Sequence, residues 1–136
     1  MAKKNTKKIH EDIVKEVKSR LRSNGYRFLE NGAKQYLIID NVIQPLEIKG
    51  TINKQGDHIY LEYWNNQQVA IWNRPGPAWF AYYINDQVII CKWKELKDAA
   101  LVKLHELTSM PNYYKETLTS CGYLFPIKDI PNARIY

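Results

Sequence analysis

The stretch "YLIIDNVIQPLEIKG", residues 36–50, sets the frame for the rest of the chain. Two apolar runs flank Asp40-Asn41, residue types that tolerate a left-handed backbone and favour two-residue hairpin turns. A hairpin closed there sets Ile39 opposite Val42, Tyr36 opposite Pro45 and Lys34 opposite Glu47. Strand alternation then puts Glu47 and Lys49 on one face and Leu46 and Ile48 on the other. Asp40 falls at the tip, roughly 20 Å from Glu47 at strand rise.

Upstream, "KKIHEDIVKEVKSRLRSNGYRF" predicts a helix. Ile9, Ile13, Val17 and Leu21 recur every fourth position and form one apolar stripe. Asn24-Gly25 supplies the stop. "YRFLE", Asn31-Gly32 and "QYLIID" lead into the hairpin. Downstream, "HIYLEYW", "QVAIW", "AWFAYYI" and "QVIICKW" read as further strands, with Asn85-Asp86 as a second tight turn. "KWKELKDAALVKLHELT" returns to helical spacing, with Trp93, Leu96, Ala100, Leu104 and Leu107 on one side. The last segment reads as irregular, with a short strand or hook near "GYLFPI". The expected class is α/β in the mixed α+β sense: an N-terminal helix, a central mainly antiparallel or mixed sheet and a C-terminal helix.

The chain has 136 residues, enough for one core, and no repeat is visible. The expected organisation is a flexible basic N-terminus over 1–8 and a single domain over 9–136. Twenty Lys and Arg against 14 Asp and Glu give a net charge of +6, which attracts polyanions and leaves the fold open. Apolar runs are far too short to cross a bilayer, and no signal-type stretch follows the first lysines. Cys91 and Cys121 lie far apart without CxxC or nearby His spacing, which argues against zinc and for reduced thiols in the cytoplasm.

In "HIYLEYW", Tyr60, Glu62 and Trp64 share a face. Should this strand neighbour the Glu47 strand, Glu47, Lys49 and Glu62 converge on one patch. Two carboxylates and a lysine suit phosphodiester hydrolysis. The carboxylates would hold Mg²⁺, the metal would activate water, and the lysine would position that water or stabilise charge on the phosphate. The leading helix, the hairpin ending in Glu47-Ile48-Lys49, "GDHIYLEYW", "AWFAYYI", "QVIICKWKELKD" and "GYLFPIKDIPNARI" follow an order of elements that resembles the PD-(D/E)XK nuclease-like superfamily, in particular its small phage-type members. The resemblance covers roughly residues 9 to 135, and Glu-x-Lys is its one chemically explicit motif.

That resemblance implies a restriction-endonuclease-like fold and a metal-dependent endodeoxyribonuclease using Mg²⁺ or Mn²⁺ on DNA, phage-encoded and acting in the host cytoplasm. Glu47 and Lys49 would be catalytic, and Glu47, Glu62 and Asp40 would be the metal ligands. Such nucleases often pair to cut both strands, so a homodimer is implied as an option. The family's second acid falls near Lys34 to Tyr36, where none stands. Glu62, Glu30 or Glu16 would have to replace it. Otherwise the site is degenerate, and the protein binds nucleic acid or a protein partner without cutting.

Other residues carry simpler expectations. Trp72, beside Arg74 in "WNRPGP", is the tryptophan expected to be exposed, and with Lys49 these two are the candidate nucleic-acid contacts. Lys3, Lys4, Lys7 and Lys8 could touch phosphates or act as a solubilising end. His10, His58 and His105 stand alone as surface or hydrogen-bonded residues. Ser120 and Cys121 have no local base to activate them.

Overall fold

The computed structural model describes residues 2–51 and 56–136, with side chains from Lys8 onward, so the expected phosphate contacts of Lys3, Lys4 and Lys7 lie outside the described residues. The chain divides into two compact units, one built from residues 1–56, 77–93 and 132–136, the other from 57–76 and 94–131. Each is mixed or antiparallel β with helix, in keeping with the expected mixed α+β class.

The first unit starts with α1, Ala2–Ser23. Its backbone is helical from Ala2, ahead of the apolar stripe that begins at Ile9. Ile13, Val17 and Leu21 are buried against Leu37, Leu46, Ile48, Ala81, Val88 and Ile90, with Ile9 packed beside them. Full burial of a Leu or Ile contributes about 1.5–3 kcal/mol, so the predicted stripe is what holds the helix down. The helix stops where the sequence places the stop. Tyr26 N–H donates to the Leu21 carbonyl and Gly25 N–H to that of Arg22, both at 3.0 Å, while Gly25 takes a φ of 90°. This pair of bonds caps the orphan carbonyls in a Schellman motif.

Beneath α1 lies a six-stranded sheet of β1 (Arg27–Asn31), β2 (Lys34–Ile39), β3 (Val42–Gly50), β5 (Trp79–Ile84), β6 (Gln87–Lys92) and β9 (Arg134–Ile135), in that spatial order. All pairs are antiparallel except β3 with β5. Ile39 pairs with Val42 and Tyr36 with Pro45, as the Asp40-Asn41 turn requires. Both turn residues have positive φ, 51° and 63°. At the other end of β3, a Cβ on Gly50 would lie 2.5 Å from the Tyr83 carbonyl oxygen, so only glycine lets the two strands approach there. Arg20 reaches from α1 to the β5–β6 turn, where its guanidinium meets the Asp86 carboxylate at 2.5 Å.

In the second unit β4 (His58–Asn65), β8 (Thr117–Pro126) and β7 (Thr108–Tyr114) form a three-stranded antiparallel sheet with β8 central. Ile59, Leu61 and Phe125 are its fully buried side chains, and Trp93, Leu96 and Ala100 are the buried positions of α2 (Trp93–Val102). Three expectations change here. The final segment is a long hairpin instead of irregular chain. Its first strand hid because "TSMPNYY" is exposed almost throughout, which removes the alternation that marks a strand. "QVAIW" is a loop entering a 3₁₀ turn at Ile71–Asn73 that buries Ala70 and Ile71. Helix α2 ends at Val102, which leaves Leu104 and Leu107 beyond it.

Candidate functional site

Glu47 and Lys49 stand on the face of β3 opposite Leu46 and Ile48, as the alternation dictates. Parallel pairing sets Glu47 beside Phe80 and Lys49 beside Tyr82. The Lys49 Nζ lies 3.6 Å from Glu47 Oε1, and the two side chains are 30% and 24% exposed. The pair is therefore half out of water, where a lysine and a carboxylate neutralise each other.

The field of this pair reaches α1. Loss of water around the ring and the Lys49 ammonium hold the His10 imidazole below its ordinary value, against the opposing pull of Glu47 and Glu11. Sequence alone left His10 by itself, because no local spacing links a helix residue to a strand so far along the chain.

Of the expected metal ligands, Asp40 shares the first unit with Glu47 and Glu62 belongs to the second. Asp40 is exposed at the hairpin tip, and five strand residues beyond Val42 separate that end from Glu47. At strand rise this is roughly 17 Å, while an ion needs its oxygens at about 2.1 Å. Glu62 belongs to β4, and the neighbours of β3 are β2 and β5. The adjacency of β3 and β4 assumed from sequence fails because the crossover between residues 51 and 78 returns a parallel strand, β5, to the open edge of β3. The Glu62 carboxylate instead accepts a hydrogen bond from Asn65 Nδ2 at 3.2 Å.

The two substitutes are committed elsewhere. Glu30 sits in register with Gln35, on the α1 side of the sheet, and forms an ion pair with Lys18. Glu16 accepts from Arg20 Nε at 2.8 Å. Among the described residues no three His, Cys, Asp or Glu side chains form a group that could hold a metal ion. Residues 1–7 and 52–55 contain none of these four types. One carboxylate beside an ammonium is a poor donor set for Mg²⁺, which prefers several oxygens and is repelled by the lysine. Within the first unit Asp40 does not stand beside Glu47, and Glu62 belongs to the second unit.

The nucleic-acid candidates also divide. Lys49 stays on an accessible strand face. Trp72 is half-buried, its ring edge-on to Tyr123 at 5.5 Å between centroids. Lys97 Nζ stands 5.3 Å from the Trp72 ring centre and donates to the Trp72 carbonyl at 2.8 Å. These contacts occupy the indole, and the exposed tryptophan is Trp64 instead. Arg74 is half-buried too. Ser120 is buried and shares hydrogen bonds with Tyr60 at 3.0 Å and Asn112 at 3.3 Å, a structural role. His58 lies 2.6 Å from Asp57 and His105 lies 3.7 Å from Glu106, both at the surface.

Charge is strongly partitioned. The first unit carries 14 Lys and Arg against 7 Asp and Glu, and the second carries 6 against 7. The positive surplus of the chain thus belongs to the unit that contains Glu47, Lys49 and α1. No family model, curated protein or solved structure matches this chain. No described helix is long and apolar enough to cross a membrane.

Proposed function

We propose that this chain binds nucleic acid through its first unit, on a nuclease-like scaffold that has kept the Glu-x-Lys strand and lost the metal site. The observation that carries the reading is the separation of the acids. Lys49 remains beside Glu47, whereas Asp40 stands at the hairpin tip and Glu62 on a strand of another sheet. The 14 basic residues of the first unit support a polyanionic partner, DNA being the one that the PD-(D/E)XK resemblance suggests. Cys91 and Cys121 are not joined in a disulfide, in keeping with a reducing compartment such as the cytoplasm, that of the host if the protein is phage-encoded.

The competing reading is a Mg²⁺-dependent endonuclease, and one assay separates the two. Plasmid, duplex and branched DNA are incubated with the protein in Mg²⁺, in Mn²⁺ and in EDTA, and both cleavage and binding are scored. Binding without cleavage, equal in all three conditions, is the expected result. Metal-dependent cleavage that disappears in Lys49→Ala would overturn the proposal in favour of the enzyme. Absence of binding to every DNA form at low salt would overturn both.

A further inference from the structure

The hairpins of the first unit are apolar on both sides, which water does not favour. Phe28, Leu37, Ile39, Leu46 and Ile48 face α1. On the opposite side, cross-strand pairing places Leu29 beside Tyr36 and Tyr36 beside Pro45, with Arg27 beside Ile38 and Ile38 beside Ile43 in the next row. Five of those six outward positions are apolar. An antiparallel sheet with one wet face normally alternates apolar-in with polar-out, and strands apolar on both faces belong to sheets covered on both.

Farther across the same face the apolar side chains are covered. Phe80, Tyr82, Ile84, Ile89 and Cys91, on β5 and β6, are all buried. On the hairpins the face stays open: Ile43 is 55% exposed and Leu29 43%, and Pro45 is exposed as well. Arg27 and Lys34 stand exposed on the same side of β1 and β2, and Lys49 continues the rim along β3. The one acid on these outward strand positions is Glu47, which Lys49 already faces.

We propose that this face docks an acidic amphipathic helix of a partner protein. Leu29, Tyr36, Ile38, Ile43 and Pro45 would receive the partner's apolar stripe, and Arg27 and Lys34 its flanking carboxylates. Charge decides between occupants. A second copy of this chain would bring the same cationic rim against itself, and like charges at an interface are unfavourable. Single-stranded nucleic acid would use aromatic faces for stacking, and this patch offers Tyr36 alone among four aliphatic side chains.

The probe is a labelled peptide of about five helical turns with Leu on one face and Glu along its flanks, titrated with the full chain. Its control is the same peptide with Lys in place of Glu. The acidic peptide is expected to bind at least about tenfold more tightly, and Ile43→Asp and Leu29→Asp each to weaken it by about tenfold or more. Circular dichroism and the melting temperature should stay unchanged, since both side chains are exposed. Equal binding of the two peptides, or no loss in either folded variant, overturns the proposal. A dimer dissolved by Ile43→Asp would assign the face to a second copy, and a loss of DNA affinity in that variant would assign it to nucleic acid. Each of these would overturn the proposal as well.

Discussion

The two units are alike in size of task and opposite in character. The first is basic, with a long helix over a mixed sheet, and its surplus cations lie on α1 and the outer hairpins. The second is nearly neutral, and the side chains that looked functional in it are already used. Trp72 is held by Tyr123 and Lys97, and Glu62 by Asn65. Residue type marked these positions, but the contacts around them are those of a small core and its polar margin. The difference shows that net charge becomes a functional argument only once it is assigned to a surface.

The largest effects should come from the two cores. Phe125→Ala in the second unit is expected to cost about 3–5 kcal/mol and Leu21→Ala in the first about 2–5 kcal/mol, because both side chains are fully buried. Urea unfolding of each variant checks this. If only Leu21→Ala lowers DNA affinity in proportion to the unfolded fraction, the assignment of binding to the first unit is sharpened.

Next comes charge reversal. Replacing Lys8, Lys15, Arg22 and Lys92 by Glu should weaken duplex binding by about 100-fold or more at low salt, since each phosphate contact adds to the salt-dependent term. The same change at Lys94, Lys115 and Lys128 should leave affinity within about threefold. Similar losses in both sets would break the contrast between units. Titration by fluorescence anisotropy reads both.

Smaller is the response to acid, where each unit has a carboxylate held below its ordinary pKa. The Tyr83 hydroxyl and the Arg20 guanidinium hold Asp86 below the usual carboxylate range, and Lys103 does the same for Asp129, its Nζ at 2.8 Å. A carboxyl group whose folded pKa is depressed stabilises the fold above its unfolded pKa. That contribution fades as pH falls through the folded value. Both groups are at the surface, so the effect is modest and screened by salt. The urea midpoint should drop on acidification below about pH 4, and Asp86→Asn and Asp129→Asn should each flatten that drop. A variant with an unchanged acid profile would remove its ion pair from the account.

Much of the fold was legible because it is local. The stripe from Ile9 to Leu21 follows helical spacing, Gly25 ends it, and Asp40-Asn41 fixes the β2–β3 register through its own backbone preference. The rest depends on pairings that short-range pattern does not encode. Nothing in "PLEIKG" says that its open edge will take β5 in parallel after a crossover, yet that pairing decides that β4 is no neighbour of β3. Strand β7 was invisible because an exposed edge strand has no buried face to generate a period, and Pro111 and Asn112 read as turn residues. Lys97 covers Trp72 from 25 residues away. For the candidate site, the Glu47–Lys49 pair was readable from alternation alone, and β2 offers Lys34 and Tyr36 where the resemblance expects an acid.

The most direct test of the central claim is the salt dependence of duplex DNA binding, measured by anisotropy for the wild type and Lys49→Ala, each in Mg²⁺ and in EDTA. The logarithm of the binding constant should fall linearly with the logarithm of salt concentration. Lys49→Ala should make that slope shallower by about 1, with no difference between Mg²⁺ and EDTA. Binding that needs Mg²⁺, or a slope identical in wild type and variant, would contradict the claim.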